Sequence, residues 1–353
     1  NTISATVSNA NIDLMPSTDI ADIGALVHTL DNPNAYGTSA SDYFGRQAVI
    51  SGNYAIVGAY GEDDAGGTFS GKAYIFNVTS GALVHTLDNP NAYGTSADDQ
   101  FGYSVAISGN YAIVGAYFED EAGGNQSGKA YIFNVSTGAL VHTLDNPTAY
   151  STSSGDRFGY SVAISGDIAI VGAYFEDDAG GTSSGKAYIV NVTTGALVHT
   201  LDNPNAYGTS QTDYFGEAVA ISGNSAIVGA RGEGDAGGVF SGKAYIVNVT
   251  TGALVHTLDN PNAYSDTVTY ESFGFSVAIS GNYAIVGAFN EDEAGFFGGA
   301  SGKAYIFNVT SGALVHTLNN PNAYSTSQGD IFGYSVAISG NSAIVGAYGE
   351  DDA

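Results

Sequence analysis

Residues 101–117 read F-G-Y-S-V-A-I-S-G-N-Y-A-I-V-G-A-Y. From Tyr103 to Ser108 the residues alternate, with Val105 and Ile107 on one face and Ser104 and Ala106 on the other. Period-two alternation with β-branched residues predicts a strand. Ser108-Gly109-Asn110 predicts a tight turn, because Gly and Asn accept positive φ. Tyr111 to Tyr117 then predicts a second strand antiparallel to the first. Downstream, Lys129–Val135 and Ala139–Leu144 predict strands three and four, the last stopped by Asp145-Asn146-Pro147. No segment carries a helical period.

The same text recurs. Phe-Gly stands at Phe44, Phe101, Phe158, Phe215, Phe273 and Phe332, at spacings of 57, 57, 57, 58 and 59 residues. Four antiparallel strands in a unit of 40 to 60 residues is the pattern of a propeller blade. The expected fold is therefore all-β: a six-bladed β-propeller of four-stranded antiparallel blades. The last unit stops after two strands, at Ala353, and Gly24–Pro33 repeats the fourth strand as G-A-L-V-H-T-L-D-N-P. The two terminal segments are expected to share one blade and so close the ring, which removes exposed sheet edges. Residues 1–21 are read as an N-terminal strand and linker, and 22–353 as the propeller. The third strand of the shared blade is assigned to Asn1–Asn9, where Ile3, Ala5 and Val7 alternate with polar residues, joined through a linker from Ala10 to Ile23. That strand is expected either to fold back in cis or to enter the next molecule, which would build a filament.

The chain of 353 residues carries 35 acidic and 8 basic residues, a net charge of −27. Such a surface repels phosphate backbones and anionic membranes, so nucleic acid and membrane insertion are excluded as partners. Cations, basic surfaces and neutral polymers remain. No apolar run is long enough to span a bilayer. The absence of Cys rules out disulfides and thiolate metal sites. Asn1 at the start, rather than Met, is read as a processed N-terminus.

F-G-Y-S-V-A-I-S-G-N-Y-A-I-V-G-A-Y, followed by an acidic loop and S-G-K-A-Y-I-F, resembles the FG-GAP repeat of integrin α propellers, and more closely its bacterial-type variant. The resemblance covers all but residues 1–21. It implies an extracellular adhesion or interaction module. Integrin propellers have seven blades where this chain supplies six, and its loops lack their D-x-D-x-D-G calcium pattern.

Several recurring groups are candidate sites. Acidic loops recur as Glu62-Asp63-Asp64, Glu119-Asp120-Glu121, Glu176-Asp177-Asp178, Glu233 with Asp235, Glu291-Asp292-Glu293 and Glu350-Asp351-Asp352. Clustered carboxylates beside Gly-rich backbone suit Ca²⁺; the alternative is a solvated loop balanced by Lys72, Lys129, Lys186, Lys243 or Lys303. No cofactor is required. Sequons at Asn77, Asn125, Asn134, Asn191, Asn248 and Asn308 are glycosylation candidates, or simply turn residues. The six histidines, His28, His85, His142, His199, His256 and His316, share one repeat position and read as outward residues of the fourth strand.

The position after Phe-Gly varies: Arg46, Tyr103, Tyr160, Glu217, Phe275 and Tyr334. It reads either as packing between blades or as a mixed aromatic and charged surface for sugar or protein. Sixfold repetition supplies identical residues in a ring, whereas catalysis needs different residues in different roles. The chain is therefore read as non-enzymatic. The leading expectation is a structural bead that forms a homo-polymer through its N-terminal strand. The alternative is an adhesion or lectin-like module binding glycan or a cell-surface protein, with Tyr36, Tyr93, Tyr150 and Tyr207 in its loops. A propeller hydrolase or lyase using Glu217 is the third reading.

Overall fold

The computed structural model describes residues 11–14, 26–33, 41–63, 67–90, 97–120, 125–147, 155–177, 182–204, 212–234, 240–262, 271–291, 301–321 and 329–350. All of the elements are strands. A two-stranded sheet joins β1 (Asn11–Leu14) to β2 (His28–Asp31). The first four-stranded sheet orders β3 (Ala48–Ser51), β4 (Tyr54–Ala59), β5 (Lys72–Asn77) and β6 (Leu83–Asp88). The second holds β7 (Ser104–Ser108), β8 (Tyr111–Ala116), β9 (Lys129–Asn134) and β10 (Leu140–Asp145). The third holds β11 (Ser161–Ser165), β12 (Ile168–Ala173), β13 (Lys186–Asn191) and β14 (Leu197–Asp202). The fourth holds β15 (Val219–Ser222), β16 (Ser225–Ala230), β17 (Lys243–Asn248) and β18 (Leu254–Asp259). The fifth holds β19 (Phe273–Ser280), β20 (Tyr283–Ala288), β21 (Lys303–Asn308) and β22 (Leu314–Asn319). β23 (Phe332–Ser339) and β24 (Ser342–Ala347) form a last pair. The residues fall in two compact units, Asn1–Ala169 with Val190–Ala196, and Ile170–Ile189 with Leu197–Ala353.

The all-β expectation is met, with four antiparallel strands in each of five described sheets, and the registers recur from blade to blade. Tyr54 faces Asn77 across β4 and β5, as Tyr111 faces Asn134 across β8 and β9. The third and fourth strands carry the same irregularity each time, after Ile75 in the first sheet and after Ile246 and Ile306 later.

The core lies between successive sheets. Ile56, Ile75 and Leu87 of the first sheet pack with Phe101, Val105, Val114, Tyr131 and Phe133 of the second. On the other face of the first sheet, Val57, Tyr74 and Phe76 pack with Phe44 and Leu30. Central strands are thus buried on both faces, which is why Y-A-I-V-G-A is apolar throughout rather than alternating.

Phe-Gly is the joint between sheets. Phe101 is fully buried, edge-on to Tyr131 and Phe133 at 5.7 and 5.9 Å. A ring this deeply placed contributes about 3 kcal/mol by burial. Gly102 has φ +91°, and a Cβ there would lie 2.2 Å from the Lys72 carbonyl of the preceding sheet. Only glycine permits that approach. The fourth-strand histidines add a second joint: the His85 ring Nε2–H donates to the Ser136 carbonyl at 3.1 Å, and His142 does the same to Thr193 at 3.0 Å. The rings of His28, His85, His142, His199 and His256 each cover a turn glycine of the next repeat, His85 lying over Gly138, whereas His316 is exposed. The covering histidines are therefore clips between repeats, a role beyond that of an outward strand residue.

One expectation needs correction. The strand beside β2 is Asn11–Leu14, within the stretch assigned to a linker, and not Asn1–Asn9. Asn11 pairs with Asp31 and Leu14 with His28, the register in which Lys72 pairs with Asp88 and Ile75 with His85. The backbone register, rather than resemblance to K-A-Y-I, selects this segment. Ile3, Ala5 and Val7 lie outside the described residues.

Candidate functional site

The acidic loops divide on folding. Glu62, Glu119, Glu176, Glu233 and Glu291 turn inward and are buried, whereas Asp63, Asp120 and Asp177 stay at the surface. Asp63 accepts from the Phe69 backbone N–H at 3.0 Å, and Asp120 from Gln126 N–H at 2.7 Å. Asp64, Glu121, Asp178, Asp235, Asp292 and Glu293 lie outside the described residues. Glu350 is exposed. Among the described residues no group of three or more His, Asp or Glu is placed to hold a metal ion.

Each inward glutamate meets the tyrosine of its own third strand. Tyr131 Oη–H lies 2.6 and 2.7 Å from the two Glu119 oxygens, and Tyr74 donates to Glu62 at 2.5 Å. Burial pushes three of these carboxyls up, to about 7 for Glu62 and Glu233 and about 8 for Glu119. The hydrogen bond from tyrosine pulls the other way and is the smaller effect. The lysines are otherwise engaged: Lys72, Lys129, Lys186 and Lys243 pair with the last aspartate of the neighbouring fourth strand. In the fifth sheet that position is Asn319, and Lys303 turns to Glu291 at 2.8 Å instead.

The sequon asparagines Asn77, Asn134, Asn191, Asn248 and Asn308 end the third strands. Their Oδ1 atoms accept from the following turn, as in Ser80 N–H to Asn77 at 2.9 Å and Thr137 N–H to Asn134 at 3.0 Å. Asn125 is exposed at the far side of the acidic loop. Tyr36, Tyr93, Tyr150 and Tyr207 lie outside the described residues.

The richest chemistry flanks Phe-Gly. The backbone closes a turn in which Arg46 N–H donates to the Tyr43 carbonyl and Tyr103 N–H to the Gln100 carbonyl. The same bond recurs in every repeat, from Tyr160, Glu217, Phe275 and Tyr334. An acid sits two residues before each Phe. Asn32 donates to Asp42, Asn89 to Asp99 and Asn203 to Asp213, at 2.8 to 2.9 Å, which ties the turn to the end of the preceding fourth strand. The residue just before Phe has positive φ in all six repeats: Tyr43, Gln100, Arg157, Tyr214, Ser272 and Ile331. None is glycine. Such strain costs about 1 to 3 kcal/mol per residue and collects where side chains must be aimed.

The variable side chains meet as a result. In the first unit Tyr43 stacks on Tyr60 at 4.7 Å with the planes 8° apart. The Arg46 guanidinium lies 4.1 Å from the Tyr103 ring and 5.7 Å from Tyr60, and its Nη2 donates to Tyr103 Oη at 2.6 Å. Tyr103 Oη–H reaches Tyr160 Oη at 3.1 Å, and Arg157 lies over Phe118. In the second unit Arg231 lies over Tyr214 and bridges Glu217. Phe275 and Phe289 touch Tyr334, which stacks on Tyr348. Within each unit the position after Phe-Gly joins a mixed aromatic and charged cluster. The residue before Phe and the one that follows the second strand (Tyr60, Tyr117, Arg231, Phe289 and Tyr348) complete these clusters, and the residue before Phe was missed in the sequence. The constant acid at the turn was the available signal.

A family model described as FG-GAP repeat matches residues 34–76, 91–133, 148–190, 205–247, 263–307 and 323–353. The chain belongs to the FG-GAP repeat family. FG-GAP repeats build propeller domains that are typically extracellular, non-catalytic and used in adhesion or binding. No curated protein matched the chain. Among the described residues no helix is long and apolar enough to cross a membrane.

Proposed function

We propose that this FG-GAP chain is a non-enzymatic extracellular binding module that takes a glycan on the aromatic and arginine surface flanking Phe-Gly. The observation that carries this reading is the left-handed residue before every Phe. The fold tolerates strain at six homologous positions while the residue type there varies from Tyr to Ile. Packing alone would favour glycine at such a φ. Exposed tyrosine faces and a guanidinium suit the apolar faces and hydroxyls of sugars. A glycan array probed with the full chain and with Tyr43→Ala tests the reading. Binding that Tyr43→Ala weakens supports it, and silence across the array rejects it.

One observation favours a structural role as a second reading. β23 and β24 pair only with each other among the described strands, and β24 exposes Ile344. A strand from another molecule could extend that edge into a homo-polymer. Light scattering across a wide concentration range tests it: a mass fixed at one chain rejects assembly.

A further inference from the structure

The basic residues of this acidic chain are few, and their partners differ. All five lysines hold a carboxylate, and so does Arg231. Arg157 is half-buried over Phe118. Arg46 alone is exposed with only tyrosines as described partners: the Tyr103 hydroxyl and the Tyr103 and Tyr60 rings. A chain with 35 acidic residues thus presents one surface guanidinium that its own described carboxylates leave alone.

The surroundings of Arg46 prepare it. The Tyr103 ring lies 4.1 Å from the guanidinium carbon, and one nitrogen, Nη2, is anchored to Tyr103 Oη. A guanidinium has five N–H donors in a rigid fork, and Nη2 uses one of them here. The remainder match a carboxylate bidentately. Beside it, Tyr43 is 48% exposed and held flat against Tyr60. The Tyr103 and Tyr160 hydroxyls continue the surface with polar groups.

We propose that the sugar recognised at this surface is a uronic acid, its carboxylate held by Arg46 and its pyranose face stacked on Tyr43. This rests on the glycan-binding reading above and gives it a ligand class. The net charge of −27 opposes an acidic ligand at long range, so a uronate site is a local exception to the repulsion of polyanions expected from composition. Long-range attraction cannot recruit an acidic polymer, so recognition must come from short-range geometry at Arg46, and random polyanions are repelled.

The test compares a four-residue oligouronate with its carboxyl-reduced neutral counterpart, titrated calorimetrically into the full chain and into Arg46→Gln, Arg46→Lys and Tyr43→Ala. The expected result is at least tenfold tighter binding of the acidic oligomer. Arg46→Gln should bring it to the neutral level, with Arg46→Lys between, since lysine keeps charge and loses the fork. Unchanged urea midpoints in the variants verify that folding is intact. Equal binding of both oligomers, weakened by Tyr43→Ala and not by Arg46→Gln, would overturn the uronate assignment while leaving the glycan reading standing. No binding of either oligomer overturns the assignment too, and the array result then decides the broader reading separately.

Discussion

Replacing Glu119 by glutamine should stabilise the protein at alkaline pH and do little in mild acid. Glu119 is fully buried and its carboxyl is displaced from the ordinary 4.5 to about 8, chiefly by burial. Lys129 is paired with Asp145 at 2.7 Å, and its downward pull on Glu119 is one of the lesser effects. A carboxyl with a raised folded-state pKa contributes stability that is complete below the unfolded value near 4.5 and is lost as pH rises through 8. At about 1.4 kcal/mol per pH unit, holding it ionised at pH 9 costs at most about 5 kcal/mol. Relaxation and water penetration reduce this, so about 2 to 3 kcal/mol is expected. The substituted glutamine would still accept from Tyr131 through its carbonyl oxygen. Its amide N–H₂ adds a penalty of about 1 kcal/mol, equal at both pH values, which cancels from the difference. Urea midpoints of wild type and Glu119→Gln at pH 5 and pH 9 supply the test. The variant should be level with wild type or slightly weaker at pH 5, and clearly stronger at pH 9. A wild type that gains stability between pH 5 and 9 while Glu119→Gln loses ground would refute the reasoning. Glu119 would then be a wanted anion rather than a tolerated one.

The fifth sheet predicts the outcome of a second change. Asp145→Asn recreates the Asn319 environment, so Lys129 should turn to Glu119 as Lys303 does to Glu291, and the Glu119 titration midpoint followed by carbon NMR should fall by about one unit or more. Gly138→Ala places a methyl 2.8 Å from the His85 ring at φ +69°; a loss of about 2 kcal/mol or more is expected, and adding His85→Ala should recover only the steric part. Gln126 is exposed at φ +54° with its backbone N–H on Asp120, so Gln126→Gly should raise the urea midpoint by the equivalent of about 0.5 to 1 kcal/mol.

Strand existence and pairing were readable because alternation in the first strand, short apolar runs in the central ones and Gly/Asn turns between them need no tertiary information. The spacing of Phe44, Phe101 and the later copies gave the repeat, and the structure adds why both letters are needed: one fills the joint and the other lets two backbones touch. The site was only half legible. Arg46 and Tyr103 stood out because they vary on a constant background. Tyr43 and Gln100 did not, since what is constant there is the backbone angle and not the side chain. The inward glutamates were grouped with their aspartate neighbours because charge type is visible in a sequence and direction is not. The tyrosine that receives Glu62 comes 12 residues later, at Tyr74, across a loop. Asn11–Leu14 carries none of the K-A-Y-I text that marks its counterparts, so its place beside β2 is a fact of register alone.

β16 and β24 have the same six residues, S-A-I-V-G-A. In β16 five of the six are buried, while in β24 three are exposed and three half-covered. One hexapeptide therefore occurs in a single molecule both as interior and as rim. Amide exchange of the two copies would read the protection that a neighbouring blade confers with composition held constant, a comparison that point mutations can never isolate. The rim copy is uncharged and free of proline, with Ile344 and Val345 at its centre, features of a segment that pairs with its own kind. The same letters that make a blade's interior are a liability wherever no neighbour covers them.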